Sequence, residues 1–243
     1  MPLKVASYNI HKGFSPFNRR VVLHEVREQL RALDADIVFL QEVQGEHVQH
    51  AQRHASYPAA PQHEFLADEF WAHHAYGMNA VYEEGHHGNA ILSRYPIVQM
   101  HNRDVSAHRF EQRGLLHCEI EVRGQGVHCF CTHFGLFARG RRQQLQALIA
   151  YAEAAVPPDA PLLIAGDFND WRNELTRELG RQLGVHDVFH VSCGQPARSF
   201  PAAFPLLPLD RIYARGFEVT ACQVHDGRRK SDHAALLAQL KRR

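Results

Sequence analysis

Two segments of this sequence share one plan, in which an amphipathic helical pattern leads into a continuously apolar run that ends in acidic and amide side chains. The first helix is predicted over Arg19–Leu33 and precedes DIVFLQE, and the second is predicted over Arg141–Ala155 and precedes LLIAGDFND. A strand buried on both faces has such an apolar run, and α/β proteins bind ligands at the carboxyl ends of their strands. The two segments therefore predict acidic groups gathered at one edge of the fold.

The rest of the chain is rich in short β-type runs. Strands are predicted at Lys4–Ile10, Asp36–Gln41, Met78–Tyr82, Asn89–Ser93, Leu115–Val122, Val127–Thr132, Leu162–Ala165, Arg211–Tyr213, Phe217–Val224 and Ala234–Leu240. Weaker helical patterns cover Val43–His54, Asp68–His74 and Asn173–Leu183. Many strands and few helices predict two mixed sheets that pack together, with helices outside.

Composition limits the remaining possibilities. Residues 1–243 are predicted to form one globular domain, since 45% of them are hydrophobic, 22% are charged and no linker divides them. No apolar run approaches the ~18 residues of a transmembrane span, and a signal-peptide pattern is absent, so we expect a cytoplasmic location without stable membrane insertion. The net charge of +1 provides no global attraction to nucleic acid or to an anionic membrane surface. Oligomeric state is not indicated by the pattern.

Three strand ends carry side chains suited to metal binding or proton transfer. Glu42 follows four bulky apolar residues, and its carboxylate suits a hard cation such as Mg²⁺. Asp167 and Asn169 lie two apart beyond a buried strand, so in extended geometry they face the same side. Asp232 stands beside His233, whose imidazole is suited to act as a general base near neutral pH. Each segment alone has a structural alternative, which is helix capping for the first and a hydrogen-bonded turn for the other two.

Taken together, eight motifs carry a resemblance to a known family. In chain order they are SYNIHKG, DIVFLQEV, GNAILSRYPI, QRGLLH, THFGL, AGDFND, LDRIY and SDHA. The series resembles the endonuclease/exonuclease/phosphatase superfamily, which includes pancreatic-type deoxyribonuclease, abasic-site endonucleases, neutral sphingomyelinases and inositol-polyphosphate phosphatases. The resemblance extends from Ser7 to the final strand. It implies an α/β (α+β) fold, a four-layer α/β/β/α sandwich of two packed mixed β-sheets with outer helices and a site at one end of the sheets.

The resemblance also implies a role for each site residue. Glu42 would be the principal metal ligand, and Asn9 would orient it or the substrate phosphate. Asp210 of LDRIY would hydrogen-bond His233 and fix its tautomer. His233 would then activate water or stabilise the phosphorane-like transition state.

Further roles follow from the same resemblance. Asp167 and Asn169 would position the attacking water and a phosphate oxygen. His133 of THF would donate to a non-bridging oxygen, and Asp232 would complete the surroundings of the metal or of the histidine. The implied cofactor is Mg²⁺ or Mn²⁺. Whether one metal or two are used, and whether His233 or Asp167 is the base, stays open at this stage.

Substrate contacts are predicted at several positions. Arg113 of QRGLLH is the best candidate for phosphate binding. In the deoxyribonuclease branch a glutamate orients the histidine that corresponds to His133, whereas HHGNAILS offers no carboxylate, so Asn89 is expected to supply a hydrogen bond there. Other cations near the motifs, expected to be mostly solvated, are Arg139, Arg141, Arg142, Arg228, Arg229 and Lys230. Aromatic candidates for base stacking, for which core packing is the commoner role, are Phe14, Phe17, Phe70, Trp71, Tyr76, Phe137 and Trp171.

These residues together meet the needs of phosphodiester hydrolysis, which are a cation, a base for water and donors to the phosphate oxygens. We therefore predict a divalent-metal-dependent phosphodiesterase acting on a phospholipid, a small phosphodiester or nucleic acid. A DNA or RNA endonuclease or exonuclease is one alternative, against which the near-neutral charge argues mildly. An alternative of another class is a non-catalytic binding module, which would usually lack at least one of these residues.

Overall fold

The structure is a computed structural model that describes residues 1–54, 56–108, 111–225, 227 and 229–243. Arg228, one of the predicted surface cations, lies outside the described residues. The helices are α1 (Leu23–Leu33), α2 (Val48–Arg53), α3 (Gln62–Ala67), α4 (Ala138–Ala155), α5 (Thr176–Leu183) and α6 (Val188–Cys193). Among the described residues, none of these helices has both the length and the apolar character needed to cross a bilayer.

In the described part of the chain, twelve strands form two six-stranded sheets. In spatial order, the first sheet contains β11 (Phe217–His225), β12 (Ala235–Arg242), β1 (Leu3–Asn9), β2 (Ile37–His47), β4 (Gly85–Ser93) and β3 (His73–Tyr82). The second contains β5 (Ile97–Asp104), β6 (Gly114–Val122), β7 (Gln125–His133), β8 (Leu162–Asp167), β10 (Asp210–Arg215) and β9 (His186–Asp187). Each sheet has one parallel pair near its centre, β1 with β2 and β7 with β8, and the other pairs are antiparallel.

Apolar side chains hold the two sheets face to face. Val5 and Phe39 of the first sheet pack in one buried cluster with Cys129 and Ile212 of the second. A second cluster joins α1 and α3 to the outer face of the first sheet, and a third joins α4 and α5 to the outer face of the second. The arrangement confirms the predicted four-layer sandwich of two mixed sheets with outer helices.

Some predicted elements were wrong in their bounds or type. The pattern at Val43–His54 predicted a helix, but β2 continues to His47 and only α2 is helical. The helix predicted at Asp68–His74 is also wrong, because α3 ends at Ala67 and β3 begins at His73. The edge strand β5 was not predicted, since its exposed side chains have no apolar alternation.

The first helix starts later than its pattern indicated. Residues from Arg19 were predicted to be helical, but a 3₁₀ turn at Pro16–Asn18 precedes α1, and Phe17 has a left-handed φ of 65°. Helix α1 begins at Leu23 and ends at Leu33, and the C-cap residue Asp34 has a left-handed φ of 51°. The apolar stripe of α1 faces the first sheet as expected, so only the helix boundary changes.

A buried ion pair links β9 and β10 beside the strand end that bears Asp210. Arg211 Nε lies 3.2 Å from Asp187 Oδ2, and both side chains are buried. We expect Arg211→Met to lower the free energy of unfolding by about 3–5 kcal/mol, because a buried charge then loses its partner. Urea unfolding followed by circular dichroism measures the change.

The double variant Arg211→Met/Asp187→Asn is the control for this pair. It removes both charges, while the Asn oxygen can still accept from the backbone N–H groups of Phe189 and His190, as Asp187 does. We expect it to recover part of the lost stability. A single variant as stable as the unsubstituted protein would show that the pair contributes nothing.

Candidate active site

The carboxyl ends of the two parallel strand pairs meet at one end of the sandwich. Asn9 ends β1 in the first sheet, and Asp167 ends β8 in the second. The amide Nδ2 of Asn9 lies 3.2 Å from Asp167 Oδ2 and 3.3 Å from Glu42 Oε1. A single side-chain amide therefore joins a carboxylate of each sheet, which is the contact that an orienting role for Asn9 requires.

Glu42 takes its position from an irregularity in β2. The pairing of β2 with β4 shifts register between Leu40 and Val43, and Glu42 has a left-handed φ of 55°. For a residue other than glycine this conformation is uncommon, costs about 1–3 kcal/mol and is concentrated at functional sites. The irregularity brings the carboxylate of Glu42 to the wall of a cavity at the strand ends.

His233 and Asp210 form a hydrogen-bonded pair in the same place. His233 Nδ1 lies 2.8 Å from Asp210 Oδ2, and His233 Nε2 lies 3.7 Å from Asp167 Oδ2. Ser231 fixes the adjoining backbone, because its hydroxyl donates to the backbone oxygen of Asn9 and accepts from the N–H of His233. With Nδ1 engaged by Asp210, Nε2 is the ring atom left to meet a substrate.

Asp167 is held on both of its oxygens. Its Oδ1 accepts from the backbone N–H of Asn169 at 3.0 Å, and its Oδ2 lies 3.4 Å from His133 Nε2. Asn169 has a left-handed φ of 49° and donates its Nδ2 to Phe134 O at 2.9 Å. The side-chain oxygen of Asn169 takes part in neither of these hydrogen bonds, and Asn169 lines the cavity.

A close approach of two strands explains the glycine in AGDFND. Gly166 precedes Asp167 with a φ of 153°, and a Cβ there would lie 1.9 Å from the backbone oxygen of Thr132. Only glycine lets β7 and β8 come this close just before His133 and Asp167. The glycine thus contributes to the short distance between these two functional side chains.

Burial and charge shift the titration of these groups. Burial raises the pKa of Asp167, partly offset by His233. Burial lowers the pKa of His133 well below its usual range, and Arg113 lowers it further, so a neutral imidazole is favoured. Burial opposes protonation of His233 as well, but the carboxylates of Asp210 and Asp167 outweigh it and raise the pKa of His233.

The groups face a cavity of about 520 Å³. It is lined by Lys12, Glu42, His87, Arg113, His133, Leu136, Asp167, Asn169, Trp171, Phe200, Leu207, Leu209, Asp232 and His233. Asn9 and Asp210 are not part of the wall and support it from behind. Arg113 is suited to an anion, because its positively charged guanidinium belongs to a residue of the cavity wall.

Asn89 is the predicted site residue that the structure keeps apart from the others. It is buried and does not line the cavity. Its Nδ2 donates to the backbone oxygens of Gly114 and Cys131, which lie in the opposite sheet. In this position Asn89 ties β4 to β6 and β7, and its phosphate contact stays a prediction.

Two further expectations change with the structure. Arg141 was expected to be solvated, but it is buried, donates to the backbone oxygen of Leu136 and places its guanidinium 4.9 Å from the ring centre of Trp171. Among the stacking candidates, Trp71 belongs to the core, where its indole N–H donates to Ala35 O. Phe17, Phe137 and Trp171 are exposed, in contrast.

Sequence reasoning missed several residues of the cavity. Lys12 follows Asn9 within SYNIHKG, and left-handed φ values at His11 and Lys12 bring the chain back toward the cavity. Gln62 supports this turn by donating to the backbone oxygen of Lys12 at 2.8 Å. His87 lies in HHGNAILS, two residues before Asn89. Lys12 lies inside a motif and His87 immediately precedes one, so these positions were the available signal.

The side chains present fit a hard divalent cation. Glu42 and Asp232 both line the cavity, and a Mg²⁺-type ion needs only one or two carboxylates and keeps several waters. Asp167, Asp210 and His233 also place one ligand atom each within 4.8 Å of one another. Asp210 is completely buried and already bonded to His233. The accessible carboxylates of Glu42 and Asp232 therefore suit a hydrated ion better than this buried group.

Comparisons with known proteins agree with this geometry. Residues 6–233 match the model of the "Endonuclease/Exonuclease/phosphatase family". The chain is also 48% identical over 242 residues to the uncharacterized protein YbhP of Escherichia coli K12, covering 98% of this chain and 95% of that protein. A protein of the same name from Shigella flexneri matches to the same extent.

Solved structures resemble the fold over almost the whole chain. An endonuclease/exonuclease/phosphatase from Beutenbergia cavernae has a TM-score of 0.77 at 22% identity, covering 99% of this chain and 72% of the other. The mannosyl-6-phosphatase Bt3783 of Bacteroides thetaiotaomicron has a TM-score of 0.75 at 17% identity, with coverages of 98% and 99%. Danio rerio TDP2 complexed with a single-strand DNA product has a TM-score of 0.72 at 19% identity, with coverages of 99% for both chains.

Proposed function

This chain belongs to the endonuclease/exonuclease/phosphatase family, and from that premise we propose that it is a divalent-metal-dependent phosphoester hydrolase, most simply a cytoplasmic phosphodiesterase. One observation carries the proposal. A single cavity contains Glu42, Asp167 and His233, which come from distant parts of the chain, and Asn9 bridges the first two. Phosphodiester hydrolysis needs a carboxylate that binds a cation, an acid–base pair and hydrogen-bond donors to the phosphate oxygens, and this set contains all three.

Phosphate binding is the first step that these residues would perform. Arg113 lines the cavity, and its guanidinium would pair with a non-bridging oxygen there. His133, held neutral, would donate a second hydrogen bond, and the side chain of Lys12 would supply further positive charge at the cavity wall. These donors oppose the negative charge that grows on the phosphoryl oxygens during attack.

Asp167 and His233 would move the protons. We assign Asp167 as the acceptor of the proton of the attacking water, which Asn169 helps to place. The Asp210–His233 hydrogen bond leaves His233 Nε2 facing the cavity, where it would donate to a phosphate oxygen. The oxygen of water forms the new P–O bond, and the bond between phosphorus and the leaving oxygen breaks. The leaving oxygen is then protonated by a group of the cavity or by solvent.

Glu42 and Asp232 would hold Mg²⁺ or Mn²⁺. When bound, such an ion supplies positive charge that neutralises part of the charge of the substrate phosphate. Asn9 would keep the Glu42 carboxylate in place for it, through the 3.3 Å contact described above. His11 would do the same for Asp232, because its Nδ1 lies 3.3 Å from Asp232 Oδ1.

A nuclease is the second candidate. The TDP2 structure that resembles this fold holds a single-strand DNA product. In this chain Lys12, Arg113 and the exposed ring of Trp171 stand at one cavity, which would suit a nucleotide phosphate next to a base. The overall charge of +1 gives no wider positive surface for a long polyanion, which makes this candidate the weaker one.

A substrate panel tests the proposal. Purified protein would be assayed with bis(4-nitrophenyl) phosphate, single- and double-stranded DNA, RNA, a glycerophospholipid, sphingomyelin and inositol phosphates, in Mg²⁺, in Mn²⁺ and in EDTA. We expect hydrolysis of at least one phosphodiester that stops in EDTA and returns when metal is restored. Absence of turnover on every compound in both metals would overturn the proposal in favour of a binding module.

A further inference from the structure

Exposed apolar side chains are concentrated around the mouth of the cavity. We define the apolar collar as Phe17, Val81, Leu136, Phe137, Trp171, Phe204, Leu206 and Leu207, all of which are exposed. The other exposed large apolar residues of the described chain are Met1, Met78, Val98, Met100 and Val191. Large apolar side chains that are exposed together, rather than singly, usually mark a surface that contacts another molecule.

The topology brings the collar to the catalytic end of the sandwich. Phe17 lies in the connection after β1, Leu136 and Phe137 follow β7, and Trp171 follows β8. Val81 stands beside the β3–β4 turn, which pairs with the end of β2 that carries Glu42. Phe204, Leu206 and Leu207 belong to the segment that leads into Asp210 at the start of β10. Every member therefore lies on a connection, or next to one in the case of Val81, at the same end as the catalytic groups.

The collar is continuous with the cavity wall. Leu136, Trp171 and Leu207 line the catalytic cavity itself. Leu136 also lines a neighbouring cavity of about 410 Å³, together with Val81, Phe137 and Arg113. A molecule bound with its phosphate at Arg113 would therefore have its remaining atoms against apolar side chains.

Parts of the collar are held in place from below. The guanidinium of buried Arg141 packs on the ring of Trp171 and donates to the backbone of Leu136. Phe200 and Leu207 pair through backbone hydrogen bonds, which close the loop that carries Phe204. The exposure of these residues is thus built into the local structure.

Arginines accompany the exposed aromatic rings. Arg19 places its guanidinium 5.4 Å from the ring centre of Phe17, and Arg139 follows Phe137 by two residues. Arg172 adjoins Trp171 and is exposed, although it also lies 4.0 Å from Glu174. Alternation of apolar and cationic side chains suits an anionic lipid surface, where rings and aliphatic chains enter the interface and arginines meet the head groups.

The chemistry of the collar favours lipid over nucleic acid. Four of its members, Val81, Leu136, Leu206 and Leu207, are aliphatic and offer no ring on which a base could stack. Aliphatic contacts are what acyl chains and glyceryl groups provide. The molecule that covers the collar must carry a phosphodiester next to apolar atoms, because collar and catalytic cavity share a wall.

We infer that the substrate is an amphiphilic phosphodiester of the glycerophospholipid class, taken from an anionic lipid surface on which the apolar collar rests while the phosphate enters the catalytic cavity. The inference rests on the proposed function for the reaction, but it makes a separate claim about binding. Contact through exposed loops needs no spanning helix, so the protein would dock on the surface reversibly.

Vesicle binding in EDTA tests the docking without turnover. Unilamellar vesicles of phosphatidylglycerol and phosphatidylcholine would be sedimented with the unsubstituted protein and with the collar variant Phe137→Ser/Phe204→Ser/Leu206→Ser. None of these three residues lines the catalytic cavity. We expect the partition coefficient of the collar variant to fall at least tenfold.

The matched control replaces three apolar residues outside the collar that are also exposed, as Val98→Ser/Met100→Ser/Val191→Ser. Val98 and Met100 lie on the edge strand β5, and Val191 lies on α6. We expect its vesicle binding to stay within twofold of the unsubstituted protein. Equal losses in the two triple variants would overturn the inference, since any exposed apolar group would then serve equally well.

Hydrolysis gives a second readout in the presence of metal. The ratio of phosphatidylglycerol hydrolysis to bis(4-nitrophenyl) phosphate hydrolysis is expected to fall at least tenfold in the collar variant. An unchanged ratio, or a loss of affinity for a single-stranded oligonucleotide with vesicle binding intact, would overturn the inference. If the protein hydrolysed bis(4-nitrophenyl) phosphate but did not bind vesicles, the inference would be overturned and the proposed function would be retained. A protein that binds vesicles but hydrolyses nothing would refute the proposed function instead.

Discussion

His233→Ala is expected to lower turnover of the best phosphodiester substrate by a factor on the order of 10² to 10⁴, the range that a positioned proton-transfer group contributes. The imidazole is buried between Asp210 and Asp167, and its Nε2 is the ring atom that faces the cavity. Alanine would remove the proposed donor to the phosphate and the hydrogen-bond partner of Asp210 Oδ2. Initial rates at saturating Mg²⁺ measure the loss.

Asp210→Asn tests whether activity depends on the orientation of the His233 imidazole or only on its presence. Asparagine has nearly the same shape, but its amide cannot stabilise an imidazolium, so we expect a clear loss of kcat with a smaller change in KM. His190→Ala is the matched control, because His190 is exposed on α6 away from the cavity. If both His233→Ala and Asp210→Asn kept the activity of His190→Ala, the acid–base assignment would be wrong.

The fold was accessible from the sequence because its signals are local and repeated. Apolar runs such as DIVFLQE and LLIAGD needed burial on both faces, and they became the central strands β2 and β8. The helical stripe of Val26, Leu30 and Leu33 has its expected contact with the first sheet. Such patterns depend only on residues that are close in the chain, so they can be interpreted without knowledge of the tertiary contacts.

Features that depend on long-range contacts were not accessible. The left-handed turn at Glu42 arises where β2 changes register against β4, and no local pattern in DIVFLQEV indicates it. Asn89 donates to the backbone oxygens of Gly114 and Cys131, which are remote in sequence, so its place between the two sheets could not be derived from its motif.

The residues at the rim of the cavity were also not predictable from the sequence. Tryptophan and phenylalanine occur both in protein cores and on surfaces. Only tertiary packing decides which position Trp171 and Phe137 take. Arg141 illustrates the reverse case, since a charged residue expected in solvent is buried against Trp171. Motif order located the chemical groups, whereas the tertiary fold determined which neighbouring side chains surround them.

Glu42→Gln is expected to lower turnover at a fixed concentration of Mg²⁺ on the order of 10³-fold, since several kcal/mol of charge stabilisation depend on the bound cation. Glutamine preserves the size of the side chain and can tolerate the same backbone, so thermal unfolding should change little. Its neutral amide is a poorer ligand for a hard cation than a carboxylate. Calorimetric titration with Mn²⁺ is expected to show weakened metal binding alongside the lost activity.

Glu46→Gln is the control for this change, because Glu46 lies on the same strand β2, is exposed and does not line the cavity. We expect it to bind Mn²⁺ and turn over substrate as the unsubstituted protein does. Raising the Mn²⁺ concentration should restore part of the activity of Glu42→Gln, since Asp232 still offers a carboxylate at the cavity wall. Unchanged metal affinity in Glu42→Gln, with activity lost, would move the cation to the Asp167, Asp210 and His233 group, where three ligand atoms also lie together.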